Sequence, residues 1–236
     1  MAGVIDTGAK NPGTVTTALP GDETWEDLNN AKTSDDNCAT TVVNPGYDYD
    51  SYYLKATNFG FSIPMSSLIK GIKVEIERYG QSTKDKNLKI IKADGNYGDE
   101  NKADTINYWS SGDPGTYVTY GGTTDLWSET WTATTINNAN FGVGLQVRVE
   151  DLDGAYVDHI RITIYYVAST IISAEVTLGM ECRLVPVLTI PLSCLVEMEA
   201  DLTGYARRYY IVMDETLTYI LREAGGNAML IDYVDF

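Results

Sequence analysis

A chain of 236 residues with 17 basic and 33 acidic side chains carries a formal charge of −16. Such a chain repels phosphate backbones and anionic lipid, which excludes nucleic-acid binding as a primary role and docking on a negative membrane surface. Its 44% hydrophobic content is that of a folded protein, and 17 tyrosines, four tryptophans and 21 glycines favour strands and tight turns over helices.

In chain order, the only helical stretch expected is a turn near Glu26–Ala31. Short strands are expected at Cys38–Val43, Tyr52–Ala56, Leu88–Lys92 and Tyr117–Tyr120. Three longer stretches alternate cleanly, the signature of a strand with one buried and one wet face. Ile72, Val74 and Ile76 oppose Lys73, Glu75 and Glu77; Phe141, Val143, Leu145, Val147 and Val149 oppose Gln146, Arg148 and Glu150; Ile160, Ile162, Ile164 and Tyr166 oppose His159, Arg161, Thr163 and Tyr165. Turn chemistry falls between them at Asn44-Pro45-Gly46, Asp94-Gly95-Asn96, Asp113-Pro114-Gly115 and Gly121-Gly122, and Glu150–Gly154 reads as a hairpin. Many short antiparallel strands with turn-rich loops predict an all-β, jelly-roll-like antiparallel sandwich over residues 1–167. An extended β segment at 168–204 and a small β unit at 205–236 follow it. In that last unit, strands are expected at Tyr209–Met213, Leu217–Leu221 and Met229–Val234, with Gly225-Gly226-Asn227 turning the final pair.

The extended segment has the strongest pattern. Every even position from Ala174 to Leu202 is apolar, while the odd positions are mostly polar. An isolated globular strand runs about 5–6 residues, and no Asn-Gly or Asp-Gly turn folds this one back. A long apolar strand face that its own domain cannot cover must find another chain. Val176, Leu178, Met180, Leu184, Leu188, Ile190, Leu192, Val196 and Met198 are therefore the expected oligomer interface. Each buried side chain of this kind contributes roughly 1.5–3 kcal/mol. Pro186 and Pro191 each remove a backbone donor and mark bends in the strand. The terminal thirty or so residues are too few for a core of their own, which again implies a shared one.

Candidate chemistry is sparse. The single histidine, His159, sits beside Asp158 at an outward strand position, and a His–Asp pair can act as a general base. No Gly-x-Ser-x-Gly nucleophile accompanies it, no paired carboxylates stand at readable hydrolase spacing, and one histidine is too few for a catalytic zinc. No catalytic residue and no cofactor are expected, and His159 reads as a solvated or hydrogen-bonded strand residue. Asp35, Asp36 and Asn37 supply the hard oxygen ligands that calcium accepts, as do Asp48 to Asp50 and Glu150 to Asp153, though none has EF-hand spacing. Asp35–Asn37 is the best of these seats. Tyr47, Tyr49, Tyr52, Tyr53, Tyr108, Trp109, Tyr117, Tyr120, Trp127 and Trp131 form a pool from which a sugar-stacking platform could be drawn. Alternation buries about half of them, and Trp25, Trp127 and Trp131 read as core or loop anchors. Lys84-Asp85-Lys86 reads as a solvated mixed-charge loop, and Cys38, Cys182 and Cys194 as buried thiols without a disulfide framework. The opening residues Met1–Asp6 have no basic or apolar signal region, and no run approaches the roughly 18 apolar residues of a membrane span. Synthesis in a host cytoplasm without a signal peptide is expected.

Six segments, Asn30–Asp36, Tyr53–Pro64, Ile69–Arg78, Thr119–Gly122, Asn140–Val143 and Val157–Tyr166, resemble in order and spacing a β-sandwich module of tailed-bacteriophage virion and prophage proteins. Residues 172–204 are similar to the Glu- and Leu-alternating strand repeats of virion fibre and appendage proteins, which tend to be trimeric. The resemblance implies a non-enzymatic structural component of a virion. In that role the chain would be an exterior decoration, head-fibre or tail-appendage protein, forming a homotrimer through residues 172–236 and attaching to other virion proteins. The alternative is a carbohydrate-binding, host-receptor-binding module that recognises a surface glycan. A glycan depolymerase ranks third.

Overall fold

In a computed structural model, the chain divides into two compact units, Met1–Ser169 and Thr170–Phe236. The structure describes residues 3–41, 47–112, 115–150 and 154–168, and the backbone of four strands in the second unit.

The first unit is an antiparallel β-sandwich. Its strands are β1 (Ile5–Asp6), β2 (Thr14–Ala18), β3 (Trp25–Glu26), β4 (Ala39–Thr41), β5 (Tyr49–Asp50), β6 (Tyr53–Thr57), β7 (Leu68–Tyr79), β8 (Thr83–Ile91), β9 (Thr116–Gly121), β10 (Gly142–Val149) and β11 (Tyr156–Val167). A 3₁₀ turn covers Leu28–Ala31, within the stretch where a helical turn is expected, and a single helical turn, α1 (Ala133–Ile136), is closed by a Thr132/Thr135 capping box. One sheet runs β3-β4-β11-β7-β9, with β1 also on β11; the other runs β2-β6-β10, with β8 on the far edge of β10 and β5 extending the line of β6. The three long alternating stretches become the central strands β7, β10 and β11.

Register explains why the two sheets adhere. Ile76 pairs with Ile160, Val74 with Ile162 and Ile72 with Ile164, so the apolar rows of β7 and β11 align on one face. They meet Phe141, Val143, Leu145, Val147, Leu88 and Ile90 of the other sheet in one continuous core. All four tryptophans are buried, and each indole N–H finds an acceptor: Trp25 on Tyr52 O, Trp109 on Asp85, Trp127 on Ile72 O and Trp131 on Leu126 O.

Three bulges interrupt the alternation: one leaves Lys70 of β7 extra, and the other two place buried acids. On β8, Gln146 pairs with Asn87 while Val147 pairs with Asp85, leaving Lys86 as the extra residue. Inward parity therefore passes from Leu88 to Asp85 and Thr83. On β11, Val157 pairs with Arg78 and His159 with Glu77, leaving Asp158 as the extra residue between inward Val157 and Ile160. Lys84-Asp85-Lys86, expected as a solvated loop, is thus strand, and Asp85 is 1% exposed. His159, expected as a solvated or hydrogen-bonded strand residue, is hydrogen-bonded and buried: the N-terminal segment pairs along the edge of β11, with Lys10 bridging Ile162 and Asn11 reaching the imidazole, and Tyr117 meets the ring from β9. Cys38 precedes β4 and is half-buried rather than a core thiol.

The second unit contains an antiparallel meander of β12 (Leu195–Asp201), β13 (Ala206–Met213), β14 (Tyr219–Glu223) and β15 (Ala228–Ile231). Val196, Ile211, Leu221 and Met229 lie in one cross-strand row, and Leu195, Val212, Ile220 and Leu230 in the next. Adjacent rows belong to opposite faces, so both faces of this sheet carry an apolar row. The interface residues Val176, Leu178, Met180, Leu184, Leu188, Ile190 and Leu192 lie outside the described residues, as do Cys182, Cys194, Pro186 and Pro191. Val196 and Met198 fall in β12, opposite Ile211 and Tyr209.

Candidate functional site

Three polar assemblies stand out in the sandwich. The first is inside it. Asp85, turned inward by the β8 bulge, accepts from Trp109 Nε1 at 2.8 Å, from Tyr120 Oη at 2.6 Å and from the Asp104 N–H at 3.0 Å, and lies 3.4 Å from Arg78 Nη2. Arg78 also donates to Tyr120 Oη at 2.7 Å, and its guanidinium lies 4.1 Å over the Trp109 ring. Burial, reinforced by the Asp85 charge, pushes the Tyr120 phenol far above its ordinary range. A buried carboxylate survives only with a cation and several donors, and this one has both. The assembly ties β7, β8 and β9 to the 104–109 loop.

The second is a surface groove of about 320 Å³ lined by Asp50, Lys84, Asp85, Lys86, Thr105 and Arg148. Its cations are engaged. Lys84 meets Glu150 at 2.6 Å, Lys86 meets Asp50, and Arg148 meets Asp48 at 2.9 Å and Asp50 at 3.4 Å. Tyr108 donates to Glu150, and its ring lies 5.3 Å from Lys84 Nζ. The Glu150 bond raises the Lys84 pKa, and the Lys84 and Tyr108 bonds lower that of Glu150. Charged groups of both signs line the groove, with Tyr108 more than half exposed at its side.

The third lies on the outer face of the β7–β11 sheet. His159 does not bond to Asp158; its Nδ1 lies 2.7 Å from Tyr117 Oη and its Nε2 3.0 Å from Asn11 Oδ1. Burial, with the Arg161 charge, lowers the His159 pKa and favours the neutral ring. Asp158 accepts the Asp35 N–H at 3.2 Å, while Ser34 Oγ donates to Glu77 at 2.7 Å. Arg161 forks onto Glu75, with both nitrogens at 3.2 Å, and stacks 3.8 Å over Tyr117. The imidazole is thus held between a phenol and an amide on the outer face of the sheet.

The remaining sequence candidates are dispersed. Asp35, Asp36 and Asn37 are exposed, and Asp35 Oδ1 is turned back onto the Asn37 N–H and amide at 3.1 and 3.2 Å. Among the described residues, no group of three or more His, Cys, Asp or Glu is placed to hold a metal ion. Of the aromatic pool, only Tyr47 and Tyr108 are largely exposed; Tyr49, Tyr53, Trp109, Tyr120, Trp127 and Trp131 are buried, and Tyr52 and Tyr117 are half-buried. A ring pair that the sequence reading missed, Tyr53 and Tyr97 at 4.6 Å, covers Gly144, where a Cβ would meet Tyr97 at 2.6 Å. A glycine between apolar strand positions is the signal that could have found it. Among the described residues no helix is long and apolar enough to cross a membrane.

Compared with known proteins, the chain matches no family model, no curated protein and no solved structure. Fold and side-chain chemistry therefore carry the functional reading.

Proposed function

We propose that this chain is a non-enzymatic structural component of a bacteriophage virion, an exterior decoration or fibre-type protein. It forms a homotrimer through residues 172–236 and displays the sandwich outward. The single observation that carries the reading is the unbroken even-numbered apolar row from Ala174 to Leu202, which no strand of ordinary length requires. The meander in which the end of the row lies supports the same reading, since a four-stranded sheet of this size is too small for a core of its own. The polar side chains of the sandwich add further support: they are spent on one another rather than converging on a reactive centre. The order and spacing of the phage-like segments supply the virion setting.

The test is the oligomeric state of the full chain. Sedimentation should give a trimer, and Leu188→Asp or Ile190→Asp should give monomers or insoluble protein. A monomeric full-length chain overturns the proposal, and mass spectrometry of purified particles checks the virion setting.

A second reading, binding of a host surface glycan, is favoured by one feature: the exposed Tyr108 ring beside the groove of Asp50, Lys84, Lys86 and Arg148. On a glycan array, Tyr108→Ala should abolish binding that the unsubstituted chain shows; absence of binding across the array removes this reading.

A further inference from the structure

Two carboxyl groups on the outer face of the β7–β11 sheet lack a cation. Glu77 stands opposite His159 in the register, and the bulge brings Asp158 to the same place from β11. One loop touches both: Ser34 Oγ donates to Glu77 at 2.7 Å, and the next residue, Asp35, donates its backbone N–H to Asp158 Oδ1 at 3.2 Å. Asp158 is 1% exposed and Glu77 9%. The second Asp158 oxygen, Oδ2, is buried with no hydrogen-bond partner, and the Glu77 carboxyl is its neighbour.

Of the described charged and titratable groups around the pair, none makes an ion pair with it, and the Tyr117 hydroxyl of β9 reaches Glu77. Lys73 of β7 and Arg161 of β11 engage Glu75. Arg78 of β7 engages Asp85 in the core. His159 of β11 is held between Tyr117 of β9 and Asn11. Lys32 bridges the His159 backbone, and Asp35 and Asp36 of the loop add negative charge. Among the described residues, no ion pair reaches either carboxyl group, and no metal-holding cluster includes them. Two bare carboxylates side by side under a loop repel each other, and an acceptor oxygen buried without a donor is costly. One proton held between them removes both difficulties.

We propose that Glu77 and Asp158 form a carboxyl–carboxylate pair that retains one proton at neutral pH and latches loop 32–38 onto the sheet, releasing the loop when that proton is lost to solvent at higher pH. Burial pushes the Asp158 carboxyl above the ordinary aspartate range, and the Glu77 charge adds to this against the pull of the Asp35 and Asp36 N–H groups. This device is independent of the oligomer reading and survives its failure.

The experiment is hydrogen–deuterium exchange of the full chain from about pH 5 to about pH 9, corrected for the intrinsic exchange rate, with the amides of residues 33–37 as the readout. Their protection should fall by up to about tenfold per pH unit as pH rises toward the pair's raised titration and level off above it, as linkage to one proton requires. Asp158→Asn, which replaces the proton with an amide donor, should keep protection flat across the range. Should that variant not fold, carboxyl carbon NMR of the unsubstituted chain serves instead, and one carboxyl should titrate well above the rest. Flat protection in the unsubstituted chain, or carboxyls that all titrate in the ordinary range, overturns the proposal. Restoration of the loop at high pH by calcium, reversed by a chelator, also overturns it by making the occupant a cation.

Discussion

Asp85 and Asp158 are both 1% exposed, and both owe their place to a β-bulge, yet the protein treats them in opposite ways. Asp85 faces the core and is met by Arg78, Tyr120, Trp109 and a backbone N–H. Asp158 faces outward beneath a loop and is met by the Asp35 N–H at 3.2 Å, the Asp36 N–H and another carboxyl group. Burial costs a carboxyl group much the same at either place; the partners decide how the cost is met. With a guanidinium and donors at hand the charge is kept, whereas beside a second acid a proton is the cheaper partner. The first arrangement locks strands together, and the second makes a loop conditional on a proton.

The comparison breaks hardest at Arg78. Arg78→Ala leaves Asp85 buried without its cation and should cost about 3–5 kcal/mol in urea unfolding. Arg78→Leu combined with Asp85→Leu should recover most of that loss, because two apolar groups need no partner. If the single substitution were as mild as the double, the network would not be holding the charge.

Next in size is the pH dependence of the outer face. A raised Asp158 pKa means that the native state binds this proton more tightly than the unfolded chain does. Its contribution is therefore intact below the ordinary aspartate pKa and is lost as pH rises from there through the raised value. His159 runs the other way, since its lowered pKa removes stability as pH falls below the ordinary histidine value. Urea midpoints against pH should fall on both sides, with Asp158→Asn removing the alkaline fall and His159→Asn the acid one. A profile unchanged in both variants would assign the dependence to other groups.

The smallest expected effect is at Arg161. Its fork onto Glu75 is about a quarter exposed on the arginine side, so Arg161→Ala should cost about 0.2–1 kcal/mol of pair energy, with some lost stacking on Tyr117. A loss as large as that at Arg78 would erase the distinction between core and surface charge.

Much of the sandwich was legible from periodicity. Ile72 to Ile76, Phe141 to Val149 and Ile160 to Ile164 follow a strict two-residue period, and each became a central strand with its apolar row in the core. The polar assemblies were not legible. Lys84-Asp85-Lys86 looks solvated because charge normally marks a wet face, and a bulge at Lys86 leaves no mark in composition. Glu77 looks like one more outward carboxylate; only the crossing of the 32–38 loop makes it buried. Asp158 and His159 invite reading as a pair because they are neighbours in sequence, but their bonds run to residues 42 to 148 positions away.

Taken by itself, the sequence determined the all-β class, the identity of the three central strands and the alternating apolar pattern of Ala174 to Leu202. These depend on local alternation, which any extended chain must express. Tertiary structure decided which carboxyl groups are buried, and with whom. A strand's parity can be reversed by one extra residue, and an outer face becomes an inner one only when another segment crosses it.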